Sequence, residues 1–305
     1  MKVAFAGTPD FAATILRALM SSPHEVGLVI SQPDPRKGRG RKTTPTPVAQ
    51  LARSRDLLLR QPARISEISD QLAAYDALIV AAYGQILRQD TLYATRRGAY
   101  NVHASLLPKY RGAAPVERAI MNGDTETGVT IMRMDEGLDT GPMALQRRVN
   151  ISPEVNAGEL TAILATTGAE AIVEGLSLIE EDKLTLVEQD SRFATYASKI
   201  SDEDKILRWG WGVGRVHDVI RALSPGIGAR TSHPEVEGPI KIWRSRILER
   251  QTVALESGRI EAGNGRITVY CGSGALEVLE LQRPGGTRLP ARDFLRGTPL
   301  KGAFL

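Results

Sequence analysis

The sequence predicts an α/β protein with two domains, a mostly parallel sheet flanked by helices followed by a small antiparallel β-barrel. The chain has 305 residues, which exceeds the size at which one hydrophobic core usually stops growing. Up to about residue 200, short apolar runs alternate with amphipathic stretches, which is typical of a parallel sheet covered by helices. Beyond about residue 208, short alternating segments with glycine breaks indicate half-buried antiparallel strands.

Four apolar runs predict the strands of the first domain, namely 3–6, 26–30, 77–82 and 100–103. The third run is almost wholly apolar, as expected for a strand that is buried on both faces. Parallel sheets bind ligands beyond the carboxyl ends of their strands, so we expect Gly7, Tyr83 and His103 to lie near a binding site. The first strand is not followed by a G-x-G-x-x-G pattern, and a dinucleotide is therefore not favoured.

Three helices are predicted in the same part of the chain. Apolar residues at helical spacing indicate one helix over 11–20, and Pro115 suits the first turn of another over 115–121. Asn156 and Glu159 form the capping-box pattern that opens a long helix. The stripe of that helix that we expect to be buried consists of Leu160, Ile163, Leu164, Ile172, Leu176 and Ile179.

The second domain is predicted from three alternating segments, 240–248, 266–270 and 275–281, with glycine-rich breaks between them. Short half-buried strands joined by glycine turns favour a small antiparallel barrel. We therefore divide the chain into a first domain, a linker and a C-terminal domain, with the bounds 1–200, 201–208 and 209–305.

Composition excludes several kinds of site. Cys271 is the one cysteine, so an intramolecular disulfide and a cysteine-based metal cage are excluded. No two of the four histidines lie at metal-ligand spacing, and we expect no metal. No signal peptide and no apolar run long enough to span a bilayer is apparent. We therefore expect a cytoplasmic protein without a membrane partner.

Positive charge is concentrated in two places. Residues 1–200 carry 23 Lys+Arg and 23 Asp+Glu, whereas residues 201–305 carry 16 and 12, so the net charge of +4 lies in the C-terminal part. The segment 36–42, called the basic segment below, contains the cations Arg36, Lys37, Arg39, Arg41 and Lys42. Because these cations repel one another and glycines loosen the backbone, the segment is either a solvated loop or a binding site for phosphates.

The stretch from Asn101 to Asp139 carries the candidate chemistry. Asn101 and His103 lie two residues apart in a predicted strand, which puts an amide and an imidazole on the same side. A following turn rich in Gly and Asp supplies the carboxylate of Asp139. Each residue alone has a structural alternative, since Asn often caps a turn and a lone His is more often structural. Together they could converge on one carbonyl carbon, as acyl transfer to an amine requires.

Six segments carry a resemblance to a known family: 5–12, 82–87, 101–108, 110–115, 135–141 and 274–276. They resemble the 10-formyltetrahydrofolate-dependent formyltransferases over essentially the whole chain. The resemblance implies a Rossmann-like first domain and a C-terminal barrel similar to the oligonucleotide-binding (OB) fold. Family members that act on tRNA carry a similar basic loop against the acceptor arm, and Arg39 matches its Gly-Arg-Gly arginine.

The resemblance also implies a reaction and its participants. A formyl group would move from 10-formyltetrahydrofolate to the α-amino group of methionine on initiator methionyl-tRNA, with the protein acting as a monomer in translation initiation. Asn101 would donate to the carbonyl oxygen, His103 would accept the amine proton or stabilise the oxyanion as a cation, and Asp139 would orient the ring. The tetrahydrofolate site implied by the resemblance comprises Ser105, Leu106, Leu107, Pro108, Ile86 and Leu87. The five cations of the basic segment are implied to bind tRNA.

Alternative functions remain open at this point. A formyltransferase that acts on the primary amine of a sugar nucleotide would share the three catalytic residues, but it needs no cationic segment. A non-catalytic folate- or RNA-binding module would not need Asn101, His103 and Asp139 together. The chain departs from the family pattern at Arg208, where Asp is usual, and at 225–229, which lacks the usual tryptophan.

Overall fold

The computed structural model describes residues 1–37, 42–250 and 256–305. The chain forms two compact units. The first unit comprises Met1–Gly112, Thr127–Asn150 and Thr161–Ala197. The second unit comprises Ala113–Glu126, Ile151–Leu160 and Ser198–Leu305. Two segments from the first 200 residues therefore belong to the second unit.

The regular elements of the described residues are numbered in chain order. The strands are β1 (Lys2–Gly7), β2 (Glu25–Ile30), β3 (Arg36–Lys37), β4 (Lys42–Thr43), β5 (Leu59–Arg60), β6 (Ala77–Ala81), β7 (Ala99–His103), β8 (Arg111–Gly112), β9 (Glu126–Arg133), β10 (Met143–Asn150), β11 (Tyr196–Ala197), β12 (Ala229–His233), β13 (Val236–Glu249), β14 (Ile260–Gly263), β15 (Arg266–Tyr270), β16 (Ala275–Gln282) and β17 (Arg288–Pro290). The helices are α1 (Asp10–Met20), α2 (Pro47–Ser54), α3 (Ser69–Leu72), α4 (Gln89–Leu92), α5 (Pro115–Met121), α6 (Ala157–Glu180), α7 (Val213–Ala222) and α8 (Ala291–Gly297). Short 3₁₀ turns lie at Ile65–Ile68, Ser191–Phe193 and Glu203–Lys205.

A seven-stranded sheet forms the centre of the first unit, with the strand order β10-β9-β7-β6-β1-β2-β5. The pairs β1–β2, β1–β6, β2–β5 and β6–β7 are parallel, and β7–β9 is antiparallel. The predicted mostly parallel sheet is therefore confirmed. Every residue of β6 is buried, as predicted for a strand that is covered on both faces.

The predicted helices of the first 200 residues are also confirmed. Helix α1 buries the predicted apolar residues Phe11, Ile15, Leu16 and Leu19, and α5 has the predicted bounds. The capping box before α6 forms as predicted. The Asn156 side chain accepts from the Glu159 N–H at 3.0 Å, and the Glu159 carboxylate accepts from the Asn156 N–H at 2.9 Å.

Helix α6 packs closely on the sheet, because a Cβ added at Gly168 would lie 2.7 Å from the side chain of Val102 on β7. The prediction that Ile163 is buried is wrong, since this residue is 45% exposed. At 100° per residue, Ile163 lies opposite Ile172, which is fully buried. By length and composition alone, α6 could cross a membrane, contrary to the sequence expectation, and half of its most apolar window is buried. Its close contact with the sheet is the property of a core helix.

A six-stranded antiparallel sheet forms the centre of the second unit. Its order is β12-β13-β16-β15-β14, with β17 paired to β16. The predicted antiparallel C-terminal domain is confirmed, and α5 and β13 both pack against α7. Trp209 is buried and donates to Thr231 Oγ1 at 2.9 Å. The neighbouring Arg208, a departure from the family pattern, pairs with Glu203 at 2.7 Å on the surface.

The flanks of the basic segment pair with each other, where the sequence predicted an irregular loop. Arg36 lies opposite Thr43, and Lys37 lies opposite Lys42, in the antiparallel pair β3–β4. Backbone pairing of the flanks tolerates repulsion between side chains, because the hydrogen bonds of a ladder do not involve them. Arg39 and Arg41, which the sequence analysis singled out for tRNA binding, lie outside the described residues.

Candidate active site

Asn101, His103 and Asp139 meet at the carboxyl end of β7. Asn101 Nδ2 lies 3.4 Å from Asp139 Oδ1, and His103 Nδ1 lies 3.7 Å from Asp139 Oδ2. Asp139 belongs to the turn 135–141 between β9 and β10, and its φ of 52° is in the left-handed region that Asp tolerates. The alternation of side chains along β7 therefore brings the amide and the imidazole to one carboxylate, as the sequence predicted.

One ring nitrogen of His103 makes a hydrogen bond to the backbone, and the other faces Asp139. His103 is buried, and its Nε2 lies 2.9 Å from the carbonyl oxygen of Tyr110. A carbonyl oxygen only accepts hydrogen bonds, so Nε2 carries a proton and donates it. Nδ1, which faces Asp139, is then the position at which the ring takes up or releases a proton. When Nδ1 is protonated, the imidazolium and the carboxylate form a charge pair.

The segment after Tyr110 also positions the carboxylate. The Gly112 N–H donates to Asp139 Oδ2 at 2.8 Å. Gly112 has a φ of +123°, and a Cβ added there would lie 2.7 Å from the carbonyl oxygen of Ala197 in β11. Since β8 and β11 pair in parallel, only glycine suits this position. The backbone at 110–112 therefore fixes both His103 and Asp139.

The segment 105–108, predicted to bind tetrahydrofolate, is held by Thr130 on β9. The Thr130 hydroxyl donates to the Ser105 carbonyl at 2.7 Å and accepts from the Leu107 N–H at 3.1 Å. Gln146 donates to the same hydroxyl at 3.0 Å and to the Leu107 carbonyl at 2.8 Å. The Ser105 side chain is buried and donates to the Lys109 carbonyl at 2.6 Å. Leu107 is buried, whereas Leu106 and Pro108 are half-buried.

The other predicted folate residues lie on the loop after β6. Ile86 is 88% exposed and Leu87 is buried. This loop is tied to the turn 135–141, because Gln89 at its end donates to Glu136. On that turn, Leu138 is 59% exposed. Two uncovered apolar side chains on adjoining loops suit the face of a heterocycle.

Tyr83 lies at the start of the same loop and is buried. Its ring packs in one apolar cluster with Leu87. Burial raises the pKa of Tyr83 to about 12, and its hydroxyl has no hydrogen-bond partner among the residues that the structure describes. Tyr83 is therefore part of the buried core behind the loop, and its hydroxyl is not accessible to a ligand in this structure.

The base of the basic segment is fixed by Asp34. Gln61 and Arg53 donate to its carboxylate at 2.7 and 2.9 Å, and the Thr46 N–H donates to it at 3.3 Å. Burial acts to raise the pKa of Asp34, but the hydrogen bonds from Gln61 and Arg53 outweigh it and lower the pKa. An ionised carboxylate therefore fixes the chain at Asp34, just before the basic segment.

Several groups at the site were not found from the sequence. They are the Tyr110 carbonyl, the Gly112 N–H, Thr130 and Gln146. Backbone groups carry no residue-type signal, and the polar side chains come from distant parts of the chain. Gly112, within the Tyr110-Arg111-Gly112 run, was the one available sign. Among the described residues, no group of three or more His, Cys, Asp or Glu side chains could hold a metal ion.

Comparison with known proteins identifies two family regions in the chain. Residues 1–176 match the family described as formyl transferase, and residues 199–299 match the formyl transferase C-terminal domain. A methionyl-tRNA formyltransferase of Rubrobacter xylanophilus is 62% identical over 304 residues, covering 100% of this chain and 99% of that protein.

Solved structures with the same fold include two folate complexes. The N-formyltransferase of Helicobacter canadensis, in complex with folinic acid and dTDP-3-aminofucose, has a TM-score of 0.69 at 19% identity and covers 91% of this chain and 98% of that chain. HypX of Aquifex aeolicus, in complex with tetrahydrofolic acid, has a TM-score of 0.71 at 15% identity and covers 99% of this chain and 48% of that chain. At these identities the likeness shows a common fold.

Proposed function

This chain belongs to the formyl transferase family, and we propose that it moves the formyl group of 10-formyltetrahydrofolate to the α-amino group of methionine on initiator methionyl-tRNA. It is an enzyme that formylates methionyl-tRNA, the activity for which its full-length relative is named, and its formyl donor is a folate. We place it in the cytoplasm as a monomer.

One observation carries the mechanism, namely the convergence of Asn101 and His103 on Asp139 at 3.4 and 3.7 Å. A formyl group on a folate nitrogen supplies an electrophilic carbon and an oxygen that becomes negative when an amine attacks. Donors that are fixed in advance toward such an oxygen commonly supply the largest catalytic effect. An amide donor, a titratable ring and a carboxylate meet these needs together.

Each residue has a separate task in this proposal. The Asn101 amide has two N–H donors, and one of them is available to the developing oxyanion. His103 receives the proton of the attacking amine at Nδ1, because Nε2 is committed to the Tyr110 carbonyl. Asp139 stabilises the resulting imidazolium at 3.7 Å. The intermediate then collapses: the bond between the formyl carbon and the folate N10 breaks, N10 takes up the proton that His103 received, and tetrahydrofolate leaves. The ring stays in one orientation while it changes charge.

The two substrates are assigned to different groups of residues. We assign the pterin to the apolar surface of Ile86, Leu87 and Leu138, and the segment 105–108 to the remainder of the folate. The tRNA is assigned to the cations of the basic segment and to residues 201–305, whose excess of four positive charges suits a polyanion.

Formyl transfer with defined acceptors tests the proposal. Wild-type enzyme and 10-formyltetrahydrofolate are incubated with methionyl-tRNA, with uncharged initiator tRNA and with a dTDP-aminosugar, and the formylated product is identified by mass spectrometry. We expect transfer to methionyl-tRNA alone. Transfer to the aminosugar without transfer to methionyl-tRNA would overturn the assigned acceptor.

A variant of His103 tests the mechanism in the same assay. We expect His103→Ala to reduce the single-turnover rate by about 10²–10⁴-fold. His24→Ala is the matched control, because His24 is also buried in the first unit but lies before the amino end of β2, three strands away from β7. A rate for His103→Ala within about three-fold of that of the control would contradict the role of the ring.

A further inference from the structure

We propose that Gln189 is a positioning residue that ties the turn carrying Asp139 to the buried Arg111 and thereby holds the catalytic carboxylate in register with His103. The inference deepens the proposed function, on which it rests. Gln189 is a single half-buried side chain outside the motif that the sequence analysis singled out.

The Gln189 amide makes four hydrogen bonds, which is its full normal capacity in this orientation. Its Nε2 donates to the carbonyl oxygens of Asp139 and Gly141, both at 2.8 Å. Its Oε1 accepts from Arg111 Nε at 3.0 Å and from Arg111 Nη2 at 2.9 Å. The reverse orientation would place amide N–H groups against the guanidinium, so these partners fix the amide in one way.

The identity of this residue is informative because Arg111 is buried and would ordinarily be expected to pair with a carboxylate. Within the described part of the chain, no acidic side chain lies within 4.0 Å of its guanidinium nitrogens. An amide accepts from the guanidinium and still donates to two carbonyl groups. A carboxylate accepts only, and would face those carbonyls without a proton to offer. Gln therefore suits a link between a cation and a backbone turn.

The segment 187–197, called the bracing segment below, is fixed on both sides of Gln189. Val187 exchanges two backbone hydrogen bonds with Met143 of β10, both at 2.8 Å. Thr195 accepts from the Tyr110 N–H through its hydroxyl at 2.9 Å and from the Arg111 N–H through its carbonyl at 2.8 Å. The bracing segment thus contacts the strand after the Asp139 turn as well as the strand that positions His103.

These contacts connect the two halves of the charge pair. The Tyr110 carbonyl orients His103 Nε2, and the Gly112 N–H orients Asp139 Oδ2. Arg111 lies between these two residues, and Gln189 joins it to the main chain of Asp139. Loss of the link would allow the turn to shift relative to β8. A displacement of about 1 Å at reacting groups can cost about 10²-fold in rate.

Two substitutions separate the functions of the two ends of the amide. Gln189→Glu keeps an acceptor for Arg111, and even adds the missing carboxylate, but it removes both donors to the turn. Gln189→Leu removes both ends. If the link to the turn positions Asp139, both variants lose about 10- to 100-fold in kcat, while KM for each substrate changes by less than about three-fold. Gln282→Leu is the matched control, because Gln282 also accepts from one side chain and donates to one carbonyl, but does so in the second unit.

Hydrogen exchange of the backbone provides a readout that does not depend on activity. Peptides covering 137–141 should exchange faster in both Gln189 variants than in the wild type, and peptides of β1 should not change. The Nε2–H signal of His103 in ¹⁵N-labelled protein should also shift, because its partner Tyr110 directly precedes the braced strand β8. Wild-type protein that lacks formyl transfer would refute the proposed function, whereas these measurements would still decide whether the link exists.

Full kcat in Gln189→Glu would overturn the inference, because it would mean that only a partner for Arg111 is needed. Unchanged exchange at 137–141 in both variants would overturn it as well. Failure of both variants to fold would assign Gln189 to the structural core and would equally remove the positioning role. Reduced kcat with faster exchange at the turn, and neither effect in Gln282→Leu, would support it.

Discussion

The substitution Asp139→Asn isolates the charge of the carboxylate from its position. Asn tolerates the left-handed φ of 52°, and its amide oxygen can still accept from the Gly112 N–H. The change therefore removes one negative charge 3.7 Å from His103 Nδ1 and the weak acceptor, at 3.4 Å, for Asn101 Nδ2, while it leaves the backbone in place. The expected effect is a slower chemical step, because the imidazolium formed during attack loses its partner.

The size of this effect follows from the distance. Two unit charges 3.7 Å apart attract by about 1 kcal/mol in water and by about 4.5 kcal/mol at the effective dielectric constant of roughly 20 that applies near protein surfaces. These limits correspond to losses of roughly 10-fold and 10³-fold in rate. Since the Asp139 side chain is 15% exposed, we expect a loss of about 10²-fold.

The assay is a single-turnover measurement of formyl transfer with both substrates saturating, so that chemistry limits the observed rate. Asp182→Asn is the control, because Asp182 also has a left-handed φ, of 55°, but its side chain is 77% exposed. The melting temperature of each variant shows whether the fold is retained. A folded Asp139→Asn enzyme with a rate within about two-fold of the wild type would refute the charge-pair reasoning.

Three further predictions concern stability and the frame of the site. Asn156→Ala removes the acceptor for the Glu159 N–H at the start of α6, and chemical denaturation should show a loss of about 0.5–2 kcal/mol. Gly112→Ala puts a Cβ 2.7 Å from a β11 carbonyl oxygen at a φ of +123°, so it should lower both the melting temperature and kcat. The control Gly226→Ala adds a Cβ in open space and should leave kcat unchanged. The hydrogen bond from Arg118 lowers the pKa of Asp204 in the folded protein. The contribution of the ionised Asp204 to the free energy of unfolding is therefore complete above the ordinary aspartate pKa, and it is lost as the pH falls through the lower pKa of the folded state. Asp204→Asn should therefore lower the free energy of unfolding by about 1–2 kcal/mol at pH 7. The difference in unfolding free energy between this variant and the wild type should shrink below about pH 4, and a difference that does not depend on pH would contradict this reasoning.

Periodicity made the scaffold predictable. The apolar run at 77–82 favoured a strand covered on both faces, which the structure has over 77–81. The alternation around Asn101 and His103 predicted their common side. The exposure of Ile163 was missed because its neighbours in sequence, Leu160 and Leu164, are both buried. Composition alone does not show the angular position that separates them on the helix.

The supports of the site were harder to predict, because they depend on long-range contacts. Gln189 lies 50 residues from Asp139 and carries no motif of its own. The Tyr110 carbonyl and the Gly112 N–H belong to groups that every residue has. What the sequence could supply was the chemistry of the three side chains. The distances between these side chains, and the hydrogen bond that His103 Nε2 makes to the Tyr110 carbonyl, could be read only from the folded structure.

The division of the chain into units has a practical consequence for swapping modules between homologues. The polypeptide passes from one unit to the other after residues 112, 126, 150, 160 and 197, so a single cut near residue 200 does not separate them. Such a cut would separate α5 from α7, against which it packs, and would expose apolar surface on both fragments. A chimaera that exchanges RNA specificity should therefore transplant 113–126 and 151–160 together with the C-terminal part.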